Sequence, residues 1–215
     1  MGQETRPTQA AKKIRRPIQK RSRDRKERIV RAAYELFNRD GYQAVTMRRI
    51  AAEAGVALGT PHAYFRDKQD LFRAVLSRVY RKMDSAYIRE MEEVVARGLE
   101  LEETVYRLIR VHKQLLESHR ILQRDTVVLA LSDDGFRDFY LGAEPAAAGR
   151  IIDLFFERFE SLIEFGDRET ARFLLHKGIE ETVQYLVFFR PDVDEDRVLR
   201  ELARMYAGHF QKPPA

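Results

Sequence analysis

The sequence has no cysteine among its 215 residues, so disulfide frameworks and thiolate metal sites are excluded from the outset. It also lacks any long apolar run. Val127 to Leu131 is among the longest, far short of the roughly 20 residues that a membrane-spanning helix needs, so no membrane partner is expected. The N-terminus is basic, but no apolar stretch follows it, which argues against a secretory signal. Together with the missing cysteine, this gives the expectation of a cytoplasmic protein. Sustained period-two alternation is absent too, so strands are not expected. Neither a Gly-rich phosphate loop nor a nucleophile motif is found, and no cofactor or metal is expected.

What the chain does have is charge and helical periodicity. Hydrophobic residues make up 44% and charged residues 34%, and the length allows one or two small domains with a real core. The net charge of +5 is unevenly spread. Residues 1–28 hold eleven Lys or Arg against Glu4, Asp24 and Glu27, a net of +8, which leaves −3 for the other 187 residues. A cationic run of this kind repels itself and is expected to form a disordered arm over residues 1–22. Near DNA it would release counterions and add sequence-blind affinity; otherwise it is a solvated tail.

From about Arg23 onward, apolar residues recur at three- and four-residue spacing, which predicts an all-α protein. A first helix is predicted over 23–39, with Ile29, Val30, Ala33, Leu36 and Phe37 on its inner face and Gly41 as its stop. Thr46 can cap a second helix with Ile50, Ala51 and Ala54 inward, and Gly55 ends it. A third short helix then leads to Tyr64 and Phe65. Asp67, with Asp70 three residues on, caps a long helix reaching about Arg97. Helix, Gly turn and helix in this order give the helix-turn-helix plan, whose second helix can enter the DNA major groove, although a plain helical hairpin has the same pattern.

The longer string is more specific. Thr46-Met-Arg-Arg-Ile-Ala-Ala-Glu-Ala-Gly-Val56, then Gly59-Thr60, then Tyr64-Phe-Arg-Asp-Lys68-Gln-Asp-Leu71, closely resembles the tetracycline-repressor (TetR) family. Ala32-Ala33-Tyr-Glu-Leu-Phe37 and Gly41-Tyr42 resemble that family's first helix and its end. The resemblance implies a DNA-binding domain over 23–68 and a helical ligand-binding and dimerisation domain over 69–215. It also implies a homodimer on a palindromic double-stranded operator, and usually repression relieved by a small-molecule effector. Thr46 and Lys68 match positions that touch phosphates. Gly59 and Thr60 match the start of the reading helix, and Tyr64 a contact near its end. Arg48 and Arg49 lie in the first turn of the second helix and are placed to face the DNA backbone or solvent. Three positions depart from the family. Ala57 stands where a Ser or Thr cap is usual, Pro61 where an apolar residue is usual, and His62 where Tyr is usual. Thr60 as cap with Pro61 as first helical residue would remove the proline's penalty. His62 then faces the groove or packs in place of the lost Tyr.

The remaining helices are predicted over 67–97, 102–118, 120 to about 131, 146–164, 168–189 and 194–210, with breaks at Gly142 and Pro145. A ligand pocket is assigned to Tyr106, His112, Phe136, Phe156 and Tyr185, though aromatic stripes are more often plain core. The dimer interface is assigned to Leu175, Gly178, Ile179, Leu186, Leu202, Met205 and Tyr206 in the last two helices. Gly178 in mid-helix suggests a close backbone approach. Two other functions compete: a chromosome-organising DNA binder without an effector, and a helical-bundle metalloenzyme. None of the histidines (62, 112, 119, 176 and 209) completes a Glu-x-x-His motif, and Glu92-Glu93 and Glu180-Glu181 read as helix-surface charge.

Overall fold

The computed structural model describes residues 16–212, the side chains of 16–19 and 143–148 excepted. Their backbone forms α1 (Arg16–Asp40), α2 (Met47–Glu53), a single 3-10 turn (Pro61–Ala63), α3 (Lys68–Arg97), α4 (Leu101–Ser118), α5 (Arg120–Ser132), α6 (Asp134–Arg158), α7 (Arg168–Phe189) and α8 (Glu195–Phe210). Among the described residues there is no strand, only an isolated bridge between Ile163 and Gln211.

Short polar side chains start α2, α3, α6, α7 and α8 as capping chemistry requires. Thr46 Oγ1 accepts from the Arg49 amide at 3.2 Å. Asp67 accepts from the Asp70 amide at 2.7 Å, and Asp70 reaches back to the Arg66 amide at 3.1 Å, a reciprocal arrangement that satisfies two donors. Asp133, Asp167 and Asp194 cap α6, α7 and α8 in the same way. Each such cap contributes about 1 kcal/mol.

Two boundaries differ from the sequence expectation. The first helix begins at Arg16, so residues 16–22 of the expected disordered arm are helical; residues 1–15 lie outside the described residues. The N-terminal half of α1 is tied to the body by Arg78–Glu27 at 2.7 Å, by Ser22 Oγ and the Tyr64 hydroxyl at 3.2 Å, and by Lys26 over the Phe65 ring. Second, Gly142 and Pro145 do not break the chain. The backbone stays helical across both, and α6 ends at Arg158, short of the expected 164. The helix is held at both ends, by Phe136 in one core and by Ile152, Phe155 and Phe156 in another. That packing outweighs a local proline penalty of about 3 kcal/mol.

Those two cores organise the molecule. The first joins Ile29, Leu36 and Phe37 of α1, Ile50 of α2, and Leu71 to Met83 of α3 with Leu122, Leu129 and Phe136 from α5 and α6. Phe72 is at its centre, 5.0 Å from the Phe37 ring and 5.9 Å from that of Phe136. The second core collects the end of α3 with α4, the end of α6, α7 and α8. The expected domain boundary at 68/69 falls in the first turn of α3, and the helix-turn-helix core continues into α5. At about 1.5 Å per residue, the 30 residues of α3 span about 45 Å and pass through both cores.

Candidate nucleic-acid interface and internal cavity

α2, the loop after it and the 3-10 turn form one edge of the first core. Gly55 takes φ +61°, the left-handed conformation that the tight turn after α2 needs and that glycine adopts without steric penalty. The predicted third helix is replaced by tighter winding. The Thr60 amide bonds to Ala57 O at 2.8 Å, Ala63 to Thr60 O at 3.1 Å, and Phe65 to Pro61 O at 3.0 Å. Pro61 begins the 3-10 turn, where its missing N–H is harmless, and its ring is buried. Thr60 stands at the cap position, but its side chain makes no cap bond; its backbone is already helical, which turns the hydroxyl away from the amides ahead.

The predicted contact residues divide by exposure. Thr46, Arg48, Arg49, Gly59 and His62 are exposed, while Thr60, Tyr64 and Lys68 are half-buried. Arg49 is engaged within the chain, donating to Ala44 O at 2.8 Å and to Asp40 Oδ2 at 2.5 Å. Arg39, with Arg49, holds the Asp40 carboxyl down at about 2. The Lys68 ammonium donates to Tyr42 O at 2.8 Å and lies 4.1 Å from the Tyr42 ring centre; burial lowers its pKa. Arg48 and His62 point outward with Leu58, Gly59 and Ala63. A methyl group added at Gly59 would meet nothing within 4 Å in this chain, so nothing inside the fold requires a glycine there.

Between the two cores is a cavity of about 140 Å³. Its apolar wall includes Met83, Leu116, Ile152, Phe155 and Leu175, and its polar wall includes Asp84, Tyr87, His112, Gln123 and Glu180. The Tyr87 hydroxyl and His112 Nδ1 share a hydrogen bond of 2.5 Å, and burial pushes the Tyr87 phenol strongly upward.

Of the five residues assigned to the pocket, only His112 lines this cavity. Tyr106 instead joins α4 to α8, donating to Asp196 beneath the Arg200 guanidinium. Phe136 packs in the first core, and Phe156 packs in the second with its ring tilted against Phe165, centres 4.7 Å apart. Tyr185 is exposed and lies against Phe189. Sequence reasoning missed Asp84, Gln123 and Glu180. The signal was present: each is a polar residue at core spacing on its helix. Glu180-Glu181, read as surface charge, is split, with Glu181 exposed and Glu180 buried. Among the described residues no group of three or more His, Asp or Glu is placed to hold a metal ion.

The residues assigned to the dimer interface also divide. Leu175, Leu186 and Leu202 are buried in the second core, and Ile179 lines the cavity. Gly178 faces Tyr206, whose hydroxyl donates to Leu174 O at 3.0 Å; a side chain, not a backbone, makes the close approach. The exposed apolar residues of α7 are Phe173, Leu174, Tyr185 and Phe189, with Met205 of α8 exposed as well.

A short capped helix, a glycine turn and an outward-facing reading segment on an all-α body define the helix-turn-helix class of DNA-binding folds. Residues 29–75 match the model of the bacterial regulatory proteins, tetR family. The HTH-type transcriptional repressor KstR of Rhodococcus jostii is 30% identical over 138 residues, which cover 63% of this chain and 59% of KstR. The chain therefore spans about three fifths of that relative. The fold extends well beyond the matched domain. The fatty acid degradation regulator FadR of Bacillus halodurans superimposes with a TM-score of 0.63 at 22% identity, covering 86% of this chain and 95% of that one. FadR of Bacillus subtilis, solved in complex with stearoyl-CoA, gives 0.59 at 24%, covering 85% and 98%.

Proposed function

We propose that this protein is a sequence-specific DNA-binding transcriptional regulator, a repressor that acts as a homodimer on a palindromic operator and is released by a small, largely apolar ligand. The observation that carries the reading is the exposed edge formed by α2 and the 57–63 turn. There Arg48, Gly59 and His62 face outward while the fold itself uses Arg49 and Lys68. A glycine without an internal reason suits a close approach of the sugar-phosphate backbone. Arg48 contacts phosphate, His62 faces the groove, and Thr46 and Thr60 lie at its margin. Arg49 and Lys68 act chiefly by holding the motif together.

The cavity between the cores supports release by a ligand, in preference to a chromosome-organising role without an effector. Its position beside α3 and α5, both of which reach the first core, gives a ligand a mechanical route to the DNA-reading edge. A homodimer is supported by the apolar stripe on α7. Pairing this face with its two-fold copy would bury Tyr185 and Phe189, which the single chain leaves 57% and 72% exposed.

Selection of bound genomic fragments tests the central reading. The expected product is a short palindrome whose affinity falls steeply with salt. Arg48→Ala is expected to weaken all sites alike and to reduce the salt slope by about one. Binding without sequence preference, or binding that resists salt, would overturn the regulator assignment.

A further inference from the structure

This inference rests on reading the cavity as the ligand site, and it gives that ligand a chemical class. Asp84 of α3 lies in the cavity wall and is 9% exposed. Its Oδ2 accepts a hydrogen bond from Arg150. The Arg150 side chain is on the outer side, 62% exposed against 13% for that of Asp84. Asp84 Oδ1 is buried and has no donor among the described residues. A buried acceptor left unmatched destabilises the empty state, and a ligand donor placed against it removes that penalty.

The rest of the wall sets the sign of the charge. Glu180, also buried, is already satisfied, accepting from Lys177 at 2.6 Å, Gln184 at 2.8 Å and the Tyr140 hydroxyl at 3.3 Å. Among the described residues no Lys or Arg lines the cavity. An anionic ligand would thus sit beside two carboxylates, with only the imidazoles of His112 and His176 in the wall to meet it, since Arg150 and Lys177 are already paired with Asp84 and Glu180. Tyr80, Tyr87, Tyr140 and Phe155 contribute aromatic rings, whose faces attract a cation.

We propose that the cavity binds a compact apolar amine, whose ammonium group donates to Asp84 Oδ1 while its hydrocarbon body fills the space beside Ile152, Phe155 and Leu175. The volume of about 140 Å³ limits that body to a single ring or a short alkyl group; an apolar cavity of about 150 Å³ is known to admit benzene.

Calorimetric titration of the full-length protein, free of DNA, with benzylamine, toluene and benzoate at neutral pH tests this. Benzylamine is expected to bind saturably, toluene at least about tenfold more weakly, and benzoate not at all. In Asp84→Asn, Arg150 retains the side-chain oxygen and turns the amide NH₂ toward the cavity, where it opposes a donor. Benzylamine affinity is then expected to fall at least about tenfold while that of toluene is unchanged. The proposal is overturned if benzoate or toluene matches benzylamine on the wild-type protein, or if Asp84→Asn binds benzylamine normally. The comparison of the three probes needs no variant and so does not depend on its folding. An amine that binds through Asp84 yet leaves the protein–DNA complex intact would remove the release reading and leave the cavity chemistry standing.

Discussion

The carboxylate of Asp125 on α5 accepts a hydrogen bond from the Tyr42 amide at 2.5 Å. The Tyr42 carbonyl in turn accepts from Lys68 at the start of α3. The turn after α1 is therefore fastened on one side to the body and on the other to the helix that follows the reading segment. Two residues on either side of Asp125, and so on the other face of α5, Gln123 and Val127 line the cavity. The same short helix thus touches both the proposed ligand and the helix-turn-helix. Asp125→Ala is expected to cost about 1.5–3 kcal/mol, the range for hydrogen bonds to charged groups. If α5 carries the coupling, the ligand-induced change in operator affinity falls more than operator affinity itself. Thermal melts and operator titrations with and without ligand measure the two effects separately.

Gly41 adjoins the same contact. It has φ +83°, and a Cβ there would come within 2.9 Å of Asp125 Oδ2. Gly55 has φ +61° but open space around it. Gly55→Ala is expected to cost about 1–2 kcal/mol from backbone conformation alone. Gly41→Ala is expected to cost clearly more, because it also displaces the Asp125 carboxylate. Equal losses for the two variants in urea unfolding would show that the Asp125 contact adjusts freely.

Arg190 ends α7 in the left-handed conformation, with φ 48°, and it precedes Pro191. An L side chain pays about 1–2 kcal/mol for that backbone. Arg190→Gly is expected to recover part of this, raising the thermal midpoint by a few degrees. A lowered midpoint would mean that the arginine side chain contributes more than the strain costs.

Asp40 gives a pH signature. Its carboxyl is lowered from 3.8 to about 2, first by the Arg39 hydrogen bond and then by Arg49. A depressed folded-state pKa stabilises above the unfolded value and loses that contribution as the pH falls. The stability gap between wild type and Asp40→Asn is thus expected to be constant above about pH 5 and to close as the pH approaches 2. Thermal melts of both proteins across that range check it.

The α7 stripe predicts assembly. Phe189→Asp places a charge in the proposed two-fold contact, while its wild-type side chain is 72% exposed in the single chain. The variant is expected to sediment as a folded monomer with unchanged helicity and greatly weakened operator binding. A dimer that survives both Phe189→Asp and Tyr185→Asp would move the interface elsewhere.

Much of this was legible in the chain itself. Helix starts at Thr46 and Asp67 follow from local chemistry, because a short polar side chain needs only the amides two or three residues ahead; Asp133 caps a helix where the sequence suggested a turn. The apolar spacing in α1 to α3 and the glycine turn at 55 made the helix-turn-helix readable for the same reason: period and turn geometry are properties of neighbouring residues. Which aromatics line a cavity is a different kind of fact. Tyr106, Phe136 and Phe156 have the same pattern as cavity residues, and only the packing of α4 on α8, and of α6 on Phe72, assigns them to closed cores. The exposed stripe of Leu174, Tyr185 and Phe189 differs from buried Leu175 and Leu186 by one helical step, a rotation that no single helix fixes. Glu180 looked like surface charge, and Asp84 drew no notice, until tertiary contacts buried them. The sequence alone determined most of the helices, the caps at Thr46 and Asp67 and the helix-turn-helix motif, since those depend on short-range bonds. Tertiary structure decided the cavity, its unmatched carboxylate oxygen and the face left for a partner, since burial is a property of the whole assembly of helices.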